Sequence, residues 1–334
     1  MDRYELVFSA LKSENYSGSL PLSLWRHFPG VDRDPEGLAR EEIAFQKHFD
    51  PDLMKISPHG RYCATDFGCE IATETDPVSG STKCRKCSIN SLEDWESLEP
   101  VDVLEGDFGK QIKAAELIMK EYESTVPSMM TVFSPFMVAS KIDPDLLQRI
   151  KDQDALKVVK EGLNILYKVM LDFSKASLDT GVDGLFLASQ HFNTLLEEEE
   201  VRSFEIHYLQ QMLNELRSRP GFFTVLHLHG YGPKFQLAAD FLENYLPTGI
   251  NWHDQSESPS LREANFKGGL LGGLDEQVSL RKDKPALVGE KLAKFLDKLD
   301  DRSNKIIAPG CVVPVDTLPD VYDIVIEAVR NFRF

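Results

Sequence analysis

The chain has 334 residues, 42% of them hydrophobic and 27% charged, which is a globular composition and excludes a disordered or fibrous protein. Its 37 Lys and Arg against 54 Asp and Glu leave a formal charge of −17, which argues against tracking a nucleic-acid backbone or docking on anionic lipid. No run approaches the roughly 20 apolar residues that span a bilayer, and the start MDRYELVFSALKSE is acidic where a signal peptide would be apolar, so a cytoplasmic protein is expected.

In chain order, the first apolar run is 21–27 (PLSLWRH), followed by a helix over about 34–48 with Asp34 as N-cap and Pro35 in the first turn. The second run is 52–58 (DLMKISP). The polar stretch at about 59–90 is too long for an ordinary connection and is read as an insertion or lid. A helix over 109–122, a strand over 128–134 and a long helix within 154–180 come next; Val158, Leu163, Leu166, Met170 and Phe173 are the apolar positions of that long helix. Short runs at 184–190, 224–230, 249–254, 270–275 and 306–311 then alternate with helices expected at 197–219, 234–245, 260–267, 286–299 and 319–331. Counting gives eight strand–helix units, which predict an α/β fold: a single (β/α)8 TIM barrel domain over 1–334, with the insertion at about 59–90. An open doubly wound sheet is the alternative, but no GxGxxG or GxxxxGK[ST] follows the first strand.

Barrel active sites are assembled at the C-terminal ends of strands, and the apolar runs here end in polar groups. These are Trp25, Arg26 and His27; Ser134; Gln190; His227 and His229; Trp252, His253 and Asp254; and Cys311. Residues two apart on a strand share a face, so His227 and His229 can both aim into the mouth. With Cys311, which follows Gly310, they make a set of two imidazoles and one thiolate suited to Zn²⁺ with an open fourth position. The same residues also read as a buried histidine pair and a core thiol, because free cysteine is among the most buried residue types.

Cys84 and Cys87 form a CxxC that, with Cys63 and Cys69, permits a four-thiolate metal site. Lys83, Arg85 and Lys86 would equally lower the thiol pKa values of a redox pair, and ordinary loop thiols are the plainest reading. The run Glu197 to Glu200 is an acidic helix start that needs no ligand.

SLWRHF, FDPDLMKISPHG, DFG, the VFSPF run, GVDGLFLASQ, LHLHG, GINWHD, the GGLD run and APGCVVPVDT together resemble the uroporphyrinogen decarboxylase superfamily over nearly the whole chain. That resemblance implies a distorted TIM barrel and one of two chemistries. The decarboxylases carry an Arg-rich segment after the first strand, an Asp after the second and a His after the last. Here Arg26 alone survives from the basic segment, Asp52 stands for the Asp, and the terminal His is replaced at Pro309-Gly310-Cys311. The zinc-dependent corrinoid methyltransferases carry HxC after the fifth strand and GC after the eighth. His227 and Cys311 match, and His229 replaces the first Cys, which makes a bound zinc more Lewis-acidic.

The expected function is therefore a zinc-dependent methyltransferase moving a methyl group from a corrinoid or small methylated donor to a thiol-type acceptor. His227, His229 and Cys311 would hold the metal, Asp52, Arg26 and His27 would act on substrate, and Trp25, Ser134, Gln190, Trp252, His253 and Asp254 would shape the pocket. A porphyrinogen decarboxylase and a non-catalytic corrinoid-binding or scaffolding subunit are the alternatives. The partners expected are a small-molecule substrate, a corrinoid protein and a second copy of the chain as a homodimer, with no nucleic acid and no membrane.

Overall fold

The computed structural model describes residues 1–16, 18–299 and 302–332. Among these, nine strands form: β1 (Met54–Ile56), β2 (Glu70–Thr75), β3 (Thr82–Lys86), β4 (Ser128–Phe133), β5 (Gly184–Ser189), β6 (Phe223–Leu228), β7 (Thr248–Asn251), β8 (Gly269–Leu274) and β9 (Lys305–Pro309). Seven of them make one curled parallel sheet in the order β1-β4-β5-β6-β7-β8-β9, and β2 and β3 form a separate antiparallel hairpin. Every residue of the seven parallel strands is buried, as expected of a sheet covered on both faces.

The run at 21–27 forms no ladder of its own. It instead touches both outer strands through isolated parallel bridges, Leu22 to Ile307 of β9 and Ser23 to Leu53 beside β1. Ser23 N donates to Ile307 O at 2.9 Å, Ile307 N donates to Pro21 O at 2.8 Å, and the Ser23 hydroxyl donates to Leu53 O at 2.8 Å.

Alternation along the strands sets up the inner face. Leu53, Met129, Phe186, Phe223, Val225, Leu271, Ile306 and Ala308 pack in one cluster with Val7, Ala10 and Leu11 of the N-terminal helix Arg3–Leu11. That helix is absent from the expected elements. Its Leu11 fits because Gly269 carries no side chain: a Cβ there would lie 2.9 Å from Leu11 Cδ2. Positions two further along the same strands, Lys55, Thr131, Ala188 and His227, share that face one layer nearer the C-terminal ends.

Outside the sheet, Asp34 caps the helix Pro35–Phe49 by accepting from Gly37 N at 2.8 Å, and Asp50 ends it in the left-handed conformation at φ 51°. The long helix is Gln153–Asp179, and the helix expected from 197 to 219 holds one π-helical stretch, Arg202–Ile206. The segment at 59–90 folds as the short helix Tyr62–Thr65 and the β2–β3 hairpin.

The helix expected at 260–267 does not form, and β7 runs to β8 through turns. Leu261 and Phe266 are both buried in that irregular connection. No helix among the described residues is long and apolar enough to cross a membrane.

Candidate metal centre

His227 lies on β6 and His229 just beyond it, on the same face as the core residues Phe223 and Val225. Cys311 follows β9, and Gly310 lets the two chain segments meet: a Cβ on Gly310 would fall 2.8 Å from both His253 Cα and Trp252 O. One donor atom from each of His227, His229 and Cys311 then lies within 4.8 Å of the others, the one such grouping among the described residues. His227 Nε2 is 3.4 Å from His229 Nδ1, and Cys311 Sγ is 3.6 Å from the same nitrogen.

Hydrogen bonding fixes the tautomer of His227. Asn251 Nδ2 donates to Leu271 O and Pro309 O, each at 3.0 Å, so its Oδ1 must face His227 Nδ1 at 2.7 Å. An amide oxygen only accepts, so Nδ1 carries the proton and Nε2 presents a lone pair toward His229 and Cys311. That is the state a metal-binding imidazole adopts, with its other nitrogen held by a second-layer acceptor. Burial lowers the His227 pKa and keeps this ring neutral.

Burial alone would raise the pKa of Cys311, but the imidazoles of His229, His227 and His253 around it reverse the effect and hold the thiol well below its ordinary value. His253 stands behind the group, its ring centroid 6.3 Å from that of His229. Burial opposes its charge, yet the Cys311 thiolate and the Glu276 carboxylate carry its pKa up to about 10. Glu276 accepts from His253 Nδ1 at 2.8 Å and from Gly310 N at 3.0 Å, tying the Cys311 turn to β8's following loop. Two imidazoles with one thiolate, a fixed lone pair and no internal carboxylate ligand fit a borderline-soft cation such as Zn²⁺.

The three donors open onto a cavity of about 240 Å³, also lined by Trp25, His27, Gln190, Lys55 and Lys141. Five other expected site residues lie elsewhere. Asp52 precedes β1 at the opposite end of the strand, where it accepts from Leu22 N at 2.9 Å and from Arg330 Nη1 at 2.9 and 3.0 Å. Arg26 turns outward to donate to Val315 O at 2.9 Å, and Ser134 caps the helix Pro135–Ile142 by accepting from Met137 N. Trp252 is wholly buried against Phe235, and Asp254 accepts from Gly273 N at 2.9 Å. Each is consumed by a structural partner.

The thiols of the hairpin region do not assemble as a four-ligand site. Cys84 and Cys87 Sγ are 3.1 Å apart and Cys69 interacts with both Cys84 and Ser88, whereas Cys63 is buried apart, its pKa pushed up to about 12 by desolvation.

Sequence reasoning missed Lys55, Lys141, Asn251 and Glu276. Lys55 had a signal, being a lone cation inside an apolar strand run. Its Nζ lies 4.6 Å from the Phe186 ring and donates to Ser57 Oγ at 3.0 Å, and burial lowers its pKa while raising that of nearby Glu42.

Among solved structures, the chain is similar to a methyltransferase from Methanosarcina mazei, with 17% identity, 98% of each chain covered and a TM-score of 0.81. It is also similar to a B12-independent methionine synthase from Shewanella sp. W3-18-1 in complex with selenomethionine, at 13% identity, 93% of this chain and 96% of that one, and a TM-score of 0.58. At these identities the likeness is one of fold. No curated protein sequence matches the chain. The model of the uroporphyrinogen decarboxylase (URO-D) family matches residues 24–332, and the chain belongs to that family.

Proposed function

We propose that this chain is a zinc-dependent methyltransferase that moves a methyl group from a corrinoid or small methylated donor to a thiol-type acceptor. The observation that carries the reading is the convergence of His227, His229 and Cys311 from β6 and β9, with Asn251 fixing one lone pair. Zinc held there supplies Lewis acidity that depresses the pKa of a bound thiol and leaves it nucleophilic at neutral pH.

The chain's own residues prepare the rest. Trp25 and Phe186, with ring centroids 5.5 Å apart, form an apolar wall that excludes water, and Gln190 and His27 add polar groups to the lining. A cavity of about 240 Å³ suits a small acceptor and is cramped for a tetrapyrrole, given that drug-sized ligands occupy roughly 300–1,000 Å³. The decarboxylase alternative also loses its carboxylate, since Asp52 is engaged by Arg330 away from the cavity.

The architecture we infer is one (β/α)8 barrel domain, its ring completed by residues 21–26 between β9 and β1, with the 59–90 segment as a lid over the mouth; the bridges to both outer strands support it. The two similar structures, one a methyltransferase and the other a B12-independent methionine synthase, fit methyl transfer to sulfur and leave open a donor other than corrinoid. We place the enzyme in the cytoplasm, with a corrinoid protein as partner when corrinoid is the donor.

The test is metal analysis of purified protein together with transfer of methyl from methylcobalamin to a small thiol. About one zinc per chain with thiol methylation is expected. A protein that takes up no zinc refutes the reading.

A further inference from the structure

Two thiols at the base of the β2–β3 hairpin take no part in the centre described above. Cys84 lies on β3 and Cys87 just past its end, and both are part-exposed. On a regular strand residues three apart point to opposite faces with Cα atoms about 10 Å apart. A disulfide spans only about 4.4–6.8 Å between Cα atoms, so an extended CxxC cannot close. This strand is not regular. Glu70 pairs with Lys86 and the next residue, Ile71, with Cys84, which leaves Arg85 as an extra residue on β3. Such a bulge bends its strand, and here Cys87 comes back until its Sγ lies 3.1 Å from that of Cys84.

The surroundings suit a dithiol better than a metal cage. Cys69, just before β2, reaches Ser88 Oγ at 3.5 Å and also meets Cys84, but the three sulfurs do not converge as His227, His229 and Cys311 do. Two neighbouring cations are engaged across the hairpin, Arg85 with Glu74 at 2.6 Å and Lys86 with Glu70 at 3.7 Å. Burial, and next to it the bond from Cys87, therefore leaves the Cys84 pKa raised, and the pair rests as thiols near neutrality.

This hairpin also belongs to the mouth of the cavity. Ser81 and Thr82, two and three residues before Cys84, line it, and Thr82 O accepts from Arg61 Nε at 3.2 Å. At the far end of the hairpin, Val78 O accepts at 2.7 Å from Val315 N, in the segment that follows Cys311. A bond made at the hairpin base is thus two residues from the cavity wall.

We propose that Cys84 and Cys87 form a reversible disulfide that fixes the hairpin in the conformation seen here. The site is separate from His227, His229 and Cys311 and does not rest on the function proposed above. Its oxidant is a small disulfide of the glutathione class. One cysteine of the pair, as thiolate, attacks a sulfur of that disulfide; the S–S bond breaks and one small thiolate leaves. The second cysteine, as thiolate, then attacks the protein sulfur of the mixed disulfide and expels the other small thiolate. The two protons the cysteines give up are taken by the two departing thiolates, and the two electrons the protein loses reduce the small disulfide to two thiols. Closure from 3.1 Å to a bond of about 2.0 Å requires little movement of either strand.

The experiment equilibrates the full chain with glutathione and glutathione disulfide at a series of ratios, traps free thiols by alkylation and maps the peptides by mass. Cys84 and Cys87 should lose their labels together, in a peptide two hydrogens lighter, and a reductant should restore both. Cys84→Ser and Cys87→Ser should each abolish the link, whereas Cys69→Ser should retain it. Hydrogen exchange over residues 70–86 should slow about tenfold in the oxidised wild type, because the cross-link removes open states of the hairpin, and should not change in Cys87→Ser under the same buffers. Cys84 and Cys87 that stay alkylated at every ratio, a link from Cys69 to Cys84 instead, or hairpin exchange that ignores oxidation overturns the proposal. So does a zinc ion that Cys84→Ser removes from the chain, which would make these thiols a metal site.

Discussion

Asp52 and Lys55 stand three residues apart around the short strand β1, and the molecule treats their charges in opposite ways. Asp52, at the N-terminal end, is almost wholly buried, but its oxygens accept from Leu22 N and from Arg330, with Arg3 4.0 Å away. Lys55, at the C-terminal end, has the buried Glu42 nearby but no carboxylate in ion-pair contact; it donates to a hydroxyl, lies against two aromatic rings and faces a cavity. The N-terminal end of the curled sheet closes these charges internally, as a structural end does. The other leaves lone pairs and cations facing a space, and that is where the proposed ligand would complete the electrostatics.

The strongest way to break this contrast is at the mouth. Cys311→Ala removes one of three donors, so zinc affinity should fall by more than the 10–100-fold that changes beyond the ligands themselves cause, and methyl transfer should fall with it. Its melting temperature without metal should change little, because the thiol makes no hydrogen bond that the fold depends on. Metal content after dialysis and a thermal melt check both halves. A variant that melts far below wild type but keeps its zinc reverses the assignment.

Asp52→Ala should give the mirror image. It strands a buried amide at Leu22 and removes the carboxylate that Arg330 Nη1 meets, and leaving a buried amide unpaired costs about 2 kcal/mol of folding stability. Denaturant unfolding should show that loss, whereas zinc affinity should stay within about twofold of wild type. A smaller effect is expected at Asn251→Ala, which frees His227 Nδ1 to choose either tautomer and should weaken zinc about tenfold by equilibrium competition with a chelator.

Much of the contrast is written in alternation. Leu53 and Lys55 share a face with the core, as do Val225, His227 and His229, so the histidine pair and its convergence with a glycine-hinged Cys311 are legible from spacing alone. Asp52 has the opposite parity to Lys55, which already turns it from the mouth; its likeness to a family motif outweighed that signal. Trp252 and Asp254 flank His253 and point the other way for the same reason.

Other features have no local signature. The helix Arg3–Leu11 is defined by what it covers, the inner core at one end of the sheet. The tautomer-setting bond of Asn251 depends on two carbonyls from β8 and β9, which no local reading of β7 anticipates. The bond from Arg61 to the Lys141 carbonyl likewise joins residues 80 positions apart.

The subtlest test concerns Lys141 and pH. Its pKa is about 8 in the folded chain and close to 10.5 when unfolded, since desolvation penalises the charged form. Between those values the unfolded chain holds a proton that the folded chain has released, so wild-type stability should rise with pH across this window. Below pH 8 both states are protonated and the cost of the buried charge is present in full. Lys141→Met carries no such charge. Its stability advantage over wild type should be constant below pH 8 and shrink steadily toward pH 10.5, as read by chemical unfolding at a series of pH values. An advantage that grows with pH would mean that an internal anion holds the ammonium in the folded chain, and the mouth would then be as self-satisfied as the end that carries Asp52.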